Sequence, residues 1–305
     1  MPPHRQNLLS CVLVAFRSGG CLPQALQALR ESLRGVAHEI IVVNNSSIDT
    51  AEIDRICRDH GARFLQAARN LGYGAGCNYG AGHAVGQRLL FLNPDVTATP
   101  AAMKALLATL EGNRGVVAAG PLFISPRGRV RARFVCLKSP FLGAKSFRRG
   151  RRVPKRPMRT EFLSGGALLV RRDAFQAVQG FDENIFLFHE DDDLCLRLRP
   201  FGALRYAGHS VFRHDFGHSS PPNLDLARVR AWHLGYSKIY VARKHHRPAV
   251  VGLTLLEGLL KLASPQALWS RPRRIKAVYF LRGVLAGLLS GPQMGEQTVL
   301  PVSSV

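Results

Sequence analysis

Little in this sequence is arranged for zinc-ribbon, redox or membrane-spanning roles. Its six cysteines, Cys11, Cys21, Cys57, Cys77, Cys136 and Cys195, stand singly. The absence of any CxxC pair leaves a zinc ribbon or a dithiol motif unsupported. Most of the cysteines lie in apolar segments, as small buried thiols do, and that usage suits a reducing compartment. No stretch reaches the roughly 18 uninterrupted apolar residues of a membrane span. The nearest, PAVVGLTLLEGLLKL and AVYFLRGVLAGLL, are short and carry Glu257, Lys261 and Arg282. The apolar run Leu8 to Phe16 lacks a small-residue cleavage site and reads as a first strand rather than a leader. There is no internal repeat and no long low-complexity segment.

Acids are scarce too: 20 Asp and Glu against 42 Lys and Arg, for a net charge of +22. Between Glu111 and Glu161 there is no acid, while fourteen Lys and Arg fall in that interval, most densely in FRRGRRVPKRPMR. Such a run attracts phosphates of nucleic acid, anionic lipid or diphosphate ligands, or keeps a loop solvated. Aromatics are sparse in residues 127–159, and no helix-turn-helix or RRM signature appears, so a nucleic-acid partner is disfavoured.

What is present is a core and a rhythm. Hydrophobic residues make up 46% of the chain, enough for one large domain with an appendage. LLSCVLVAF, EIIVVNN, ARFLQAA, RLLFLNPDV and GVVAAGPLFIS read as strands. CLPQALQALRESL, DTAEIDRICRDHG and TPAAMKALLATLEG read as helices between them, the last with Thr99 as N-cap and Pro100 at its first position. Repeated strand–helix alternation predicts an α/β fold, a parallel sheet covered by helices. From about Leu224 the chain reads as helical.

In open parallel sheets, ligands gather at the carboxyl ends of strands, so the polar residues expected there are candidates. After EIIVV come Asn44, Asn45, Ser46, Ser47 and Asp49, suited to a base or ribose, or to an Asx turn and helix cap. In RNLGYGAGCNYG, Asn70 could reach polar ligand groups, while Gly72, Gly74 and Gly76 would let backbone approach a ligand or allow tight packing. This is not a GxGxxG fingerprint. LLFLNPDV delivers Asn93 and Asp95 at a strand end, a set able to hold Mg²⁺ or Mn²⁺ with ligand phosphates, or an ordinary turn. FHEDDDLCLR places Glu190, Asp191, Asp192 and Asp193 in a row, where mutual repulsion raises proton affinity. Helix capping needs only one or two acids; a general base needs one with a tuned pKa. His209, His214 and His218 follow a strand and could supply a metal ligand or a diphosphate contact.

In order along residues 8–220, these pieces resemble glycosyltransferase family 2, the inverting GT-A type, and within it bacterial rhamnosyltransferase-like enzymes. VVNNSSID resembles the nucleotide-binding turn; Asn70–Gly72 and Asn78–Gly80 resemble the family's paired Asn-x-Gly stretches; NPD resembles the DxD-type metal motif. FLSGGALLVRRDAF followed by GFDENIFLFHEDDDLCLR resembles the acceptor-side block and is the most specific match. The resemblance implies a Rossmann-like, mostly parallel sheet flanked by helices in residues 1–223, with a basic helical extension in 224–305. It implies Asp191 as the base, Glu190 as its support or as an orienter of the acceptor, and Asp95 and His214 at a divalent ion, with Asn93 in the first acidic place of DxD. It further implies a nucleotide-sugar donor, dTDP-rhamnose or a UDP-sugar, lying against Ala15, Phe16, Asn44, Asp49, Asn70, Gly72 and Asn78. The acceptor would be a glycan or lipid-linked hydroxyl in cell-surface polysaccharide synthesis. Arg17 and Asn44 depart from the family's usual Asn and Asp, which leaves the nucleobase open. A basic nucleic-acid binder and a non-catalytic saccharide-binding module are the competing readings. The extension, with Leu253, Leu256 and Leu260 on one face and Arg271, Arg273, Arg274 and Lys276 nearby, would pack on the domain, form a homodimer interface or lie on an anionic membrane surface. The expected location is cytoplasmic, either free or peripheral on the inner face of the cytoplasmic membrane.

Overall fold

A computed structural model describes residues 8–130, 141, 154–215 and 224–290. Most of the densest basic stretch, together with Cys136 and His218, lies outside the described residues.

The first strands are apolar on both faces, and both faces are covered. In β1 (Leu9–Ala15), Leu9, Cys11, Leu13 and Ala15 join one core while Val12 and Val14 join the other. Strand alternation divides one run between two cores. The first core holds α1 (Leu22–Ser32), α2 (Thr50–Asp59) and α4 (Pro100–Glu111) against the sheet through Leu26, Ile53, Met103 and Leu106. Thr99 caps α4, its side chain accepting from Ala102 N at 3.2 Å, as its position before Pro100 predicts. The second core holds α3 (Tyr73–His83), α5 (Arg172–Ala177) and α6 (Glu190–Leu198).

β1, β2 (His38–Asn44), β3 (Arg63–Gln66) and β4 (Arg88–Leu92) pair in parallel, in the order β3-β2-β1-β4. The alternation of strands and helices predicts this half. The sheet then becomes mixed. β8 (Ala167–Arg171) runs antiparallel between β4 and β6 (Val116–Ile124), and β9 (Ala203–His214) lies parallel to β6. Two short strands, β5 (Val96–Ala98) and β7 (Met158–Thr160), pair antiparallel with β9. β9 is longer than the sequence pattern suggests: His209 and His214 lie on it rather than in a loop.

The glycine-rich α3 is a packing device. A Cβ at Gly80 would meet Val12 Cγ1 at 2.4 Å, and one at Gly76 would meet Val14 Cγ1 at 3.0 Å. The bare face of α3 lets it lie flat on β1, so these glycines serve close packing rather than ligand approach.

Past residue 223 come α7 (Leu224–Lys244), α8 (Pro248–Ala263), α9 (Pro265–Trp269) and α10 (Arg271–Leu289). α7 and α10 touch backbone to backbone, since a Cβ at Gly283 would fall 2.0 Å from Trp232 O and one at Gly235 2.3 Å from Phe280 O. α7 is also tied to the loop before α6. Ser237 donates to Leu187 O at 2.8 Å, and Tyr240 donates to Asp182 at 2.9 Å. No helix among the described residues is long and apolar enough to cross a membrane.

Candidate active site

Four strand ends meet at one edge of the sheet. Phe16 follows β1, Asn45 follows β2, Asn93 to Asp95 follow β4, and Ser164 to Gly166 precede the oppositely directed β8. The chain order reverses between β1 and β4, and a crevice opens at such a point. Here it is a cavity of about 460 Å³, walled by these residues and by Asn70, Gly72, Tyr73, Glu190, Asp191 and His214.

Strand register assembles the first polar pair. β5 runs antiparallel to β9 with Val96 opposite His214. This sets the Asp95 carboxylate beside the imidazole, Oδ1 to Nε2 at 3.3 Å, both side chains buried. Asp95 Oδ1 accepts no hydrogen bond among the described residues. A buried carboxylate oxygen with spare lone pairs is costly unless something positive meets it, and a carboxylate oxygen suits Mg²⁺ or Mn²⁺. Among the described residues no three His, Cys, Asp or Glu side chains converge as a metal site. An ion held by this pair would draw its other ligands from diphosphate oxygens and water.

The second group is the acid run at the start of α6. Phe188 and His189 both have left-handed backbone, with φ of 66° and 65°. For side chains of this kind that conformation costs roughly 1–2 kcal/mol per residue. Four consecutive acids follow that turn: Glu190 and Asp191 line the cavity, while Asp192 and Asp193 meet other side chains. Asp191 faces the cavity; its Oδ2 accepts from Gly165 N at 2.8 Å and its Oδ1 from Asp192 N at 3.0 Å. Burial, then the Asp192 charge, raise its pKa to about 6, against the pull of the Gly165 N–H and His189. Glu190 is buried beside it, and its proton affinity is pushed well up by burial and by the Asp191 charge. Its Oε2 makes no hydrogen bond among the described residues.

The other two acids have structural partners. Asp192 Oδ2 bonds His189 Nδ1 at 2.9 Å and so holds the left-handed turn. That accounts for an acid the sequence alone leaves unexplained. Asp193, fully buried, meets Arg197 Nε, Lys244 Nζ and His245 Nε2, each at 2.8 Å. It pins α6 to the end of α7.

Two adjacent glycines join the halves of the site. Gly165 supplies the amide that holds Asp191, and its carbonyl accepts from Tyr73 OH at 2.5 Å. Gly166 packs so close to His214 that a Cβ would lie 3.1 Å from its Cε1, and its carbonyl accepts from Asn93 N at 3.0 Å. Gly72 is constrained likewise: φ is 82°, and a Cβ would fall 2.2 Å from Phe186 O.

Of the residues singled out from sequence, Phe16, Asn70, Gly72, Asn93, Asp95, Glu190, Asp191 and His214 line the cavity. Ala15, Asn44, Asp49 and Asn78 lie outside its lining. Asn44 is fully buried; its amide donates to Gln66 Oε1 at 3.1 Å and Asp49 Oδ1 at 3.4 Å while its oxygen accepts from Ser46 N. Asn78 bonds the 181–183 segment, donating to Phe181 O at 2.9 Å and accepting from Phe181 N at 2.8 Å. His209 is exposed on β9. Asn45, a candidate from the strand end, lines it too. Among the residues the sequence reading does not single out, Tyr73, Leu226, Val229 and Arg230 also line the cavity. The last three lie at i, i+3 and i+4 of α7, a spacing that marks a shared helix face without saying what the face meets.

The chain is similar to known proteins in both sequence and fold. The model of the family described as Glycosyl transferase family 2 matches residues 10–179. The N-acetylglucosaminyl-diphospho-decaprenol L-rhamnosyltransferase of Mycobacterium tuberculosis strain H37Rv is 30% identical over 265 residues, covering 78% of this chain and 85% of that protein. Rhamnosyltransferase WbbL of Escherichia coli K12 is 26% identical over 223 residues, covering 68% and 83%. The fold is shared with a mannosyltransferase of Pyrobaculum calidifontis solved with GDP-Man and Mn²⁺, at a TM-score of 0.56 and 13% identity over 92% of this chain and 87% of that one. Residues 1–349 of Staphylococcus aureus TarS give a TM-score of 0.52 at 13% identity, over 91% and 90%.

Proposed function

As the chain belongs to glycosyltransferase family 2, we propose that it transfers rhamnose from a nucleoside diphosphate to a hydroxyl of a prenyl-diphosphate-linked saccharide, with inversion. The observation that carries this is that one cavity is lined both by a carboxyl with raised proton affinity, Asp191, and by the Asp95–His214 pair. Two relatives named as rhamnosyltransferases support the sugar, and the name of one supports the lipid-linked acceptor.

The donor diphosphate would lie toward Asp95 and His214, and the acceptor toward Asp191. Asp191 takes the proton from the acceptor hydroxyl as that oxygen attacks the anomeric carbon. The bond from that carbon to the diphosphate oxygen breaks, and its electron pair leaves with the nucleoside diphosphate. Attack from the face opposite the leaving group inverts the centre. Gly165 N–H aims the Asp191 carboxylate. Glu190, whose proton affinity burial and the Asp191 charge push well up, lines the cavity beside Asp191 and would orient the acceptor. A divalent ion held by Asp95 and His214 would supply positive charge for the leaving diphosphate.

The test is thermal shift with dTDP-, UDP- and GDP-sugars, with and without Mn²⁺. Near a hundredfold excess over Kd, dTDP-rhamnose with Mn²⁺ should raise Tm by about 5 °C. Asp95→Asn should lose the Mn²⁺-dependent part of that rise. If no nucleotide sugar moves Tm under either condition, the donor assignment is wrong.

The helices after residue 244 fit an inner-membrane surface. Leu253, Leu256 and Leu260 on α8 are 60%, 51% and 61% exposed, and Trp269 is 88% exposed. Arg271 and Arg274 are exposed beside them, a combination suited to anionic headgroups. The full chain should float with vesicles containing anionic phospholipid, and Leu256→Glu/Leu260→Glu should stay at the bottom. Flotation of that variant with wild-type efficiency would exclude the α8 face.

A further inference from the structure

A second cavity, of about 690 Å³, lies beside the first. Its walls come from α7, the end of α8, α9 and the start of α10. Phe188 and Arg230 line both cavities, so the two meet behind the acid run. Four cations line the second one: Arg230, Lys261, Arg273 and Lys276. Lys261 is matched by Glu257 at 2.6 Å and rests over the Phe280 ring at 3.8 Å. No side chain among the described residues pairs with the other three, and no acid lines the cavity. Leu234, Phe280 and Phe188 provide an apolar side.

Like charges drawn together around a concavity repel one another in the empty state. Their convergence therefore favours an anion, and three unmatched cations suit more than a single negative charge. The apolar walls suit a hydrocarbon attached to that anion. The shared wall at Phe188 and Arg230 sets anything bound here next to the face of the first cavity that carries Asp191.

We infer that this cavity holds the diphosphate of the prenyl-linked acceptor, with the first isoprene units on its apolar side and the saccharide reaching past Phe188 toward Asp191. The inference rests on the glycosyl-transfer reading above and adds to it the place of the acceptor's charged group. A phospholipid headgroup is the other source of phosphate near such helices, and it offers one negative charge on a diester where a prenyl diphosphate offers two or more on adjacent phosphates.

The test uses the full chain with its first cavity saturated by a nucleoside diphosphate. Geranyl diphosphate, geranyl monophosphate and dihexanoyl phosphatidylglycerol are titrated as soluble probes. Geranyl diphosphate should bind at least about tenfold tighter than either of the others, and Arg273→Ala/Lys276→Ala should weaken it by at least about tenfold, as expected for losing charge-assisted contacts. Both positions are exposed, so the variant should keep the wild-type Tm, and its nucleoside diphosphate affinity should be unchanged. Equal affinity of variant and wild type for geranyl diphosphate would overturn the inference. So would phosphatidylglycerol binding as tightly as the diphosphate, which would make the cavity a headgroup site. Failure of any nucleoside diphosphate to bind either protein would overturn both this inference and the reading on which it rests.

Discussion

Asp191→Asn should lower turnover about a thousandfold, within the hundredfold to ten-thousandfold range that a general base contributes, and leave donor affinity within a few-fold of wild type. The amide has nearly the shape of the carboxylate, and its oxygen can still accept from Gly165 N–H. It cannot take a proton. One contact turns unfavourable, because Asp192 N would face either the amide nitrogen or a lost acceptor, at a cost of about 1 kcal/mol. That is far less than a thousandfold in rate, so the two effects separate. The pH profile adds a second signature. A base acts when ionised, and burial and the Asp192 charge raise the Asp191 pKa to about 6. Wild-type kcat/KM should therefore rise with pH up to about 6 and level off above it, and the residual activity of Asp191→Asn should lack that limb. An unaltered limb, or turnover within tenfold of wild type, would assign the base elsewhere.

Asp193→Ala should unfold the protein more readily than any other single change at the site. The carboxylate is completely buried among Arg197, Lys244 and His245. Removing one member of a buried charged set leaves the others uncompensated and costs about 3–5 kcal/mol. Arg197 keeps its bonds to Val178 O and Gly180 O, and Lys244 keeps Asp182, which places the expected loss near the lower end of that range. The effect should depend on pH. Burial alone would raise the Asp193 pKa, but the His245 hydrogen bond, then Arg197 and Lys244, outweigh it and hold the value at about 2. A depressed folded-state pKa contributes stability that is fully present above the ordinary carboxylate value of about 3.9 and is lost as pH falls through about 2. Denaturant midpoints of wild type and variant should therefore differ most near neutrality and converge between pH 4 and 2. A constant gap across that interval would mean that Asp193 contributes through packing rather than charge.

What could be read in advance follows the range of the interactions involved. The β1–β4 half of the sheet follows from local hydrophobic patterns, and those carry over to three dimensions. Asp191 and Glu190 are legible because one short motif holds them. Asp95 and His214 can each be suspected from sequence, but their meeting depends on β5 pairing with β9 over more than a hundred residues, which no local pattern encodes. Asn44 looks like a base reader because it ends a strand, yet the folded turn uses up its amide on Gln66 and Asp49. Asn78 is diverted in the same way to the 181–183 segment. Arg230 escapes notice because one cation on a helix carries no mark of where that face will point. The extra acid Asp192 becomes intelligible only with the left-handed backbone at His189, a conformation that residue type alone does not announce.

The crossing of α7 and α10 bears on how force moves through this enzyme. With Gly235 and Gly283 bare, the two backbones lie against each other, and no layer of side chains is left between them to slip. Close-packed interiors yield little under load. The pair therefore acts as a strut rather than as two hinged rods. One end of it carries Arg273 and Lys276; the other is fastened, through Ser237, Tyr240, Lys244 and His245, to the turn that presents the acids. A pull on the first end is delivered to the second with little loss, so an event at the protein's outer helices is also an event at the turn before the acid run.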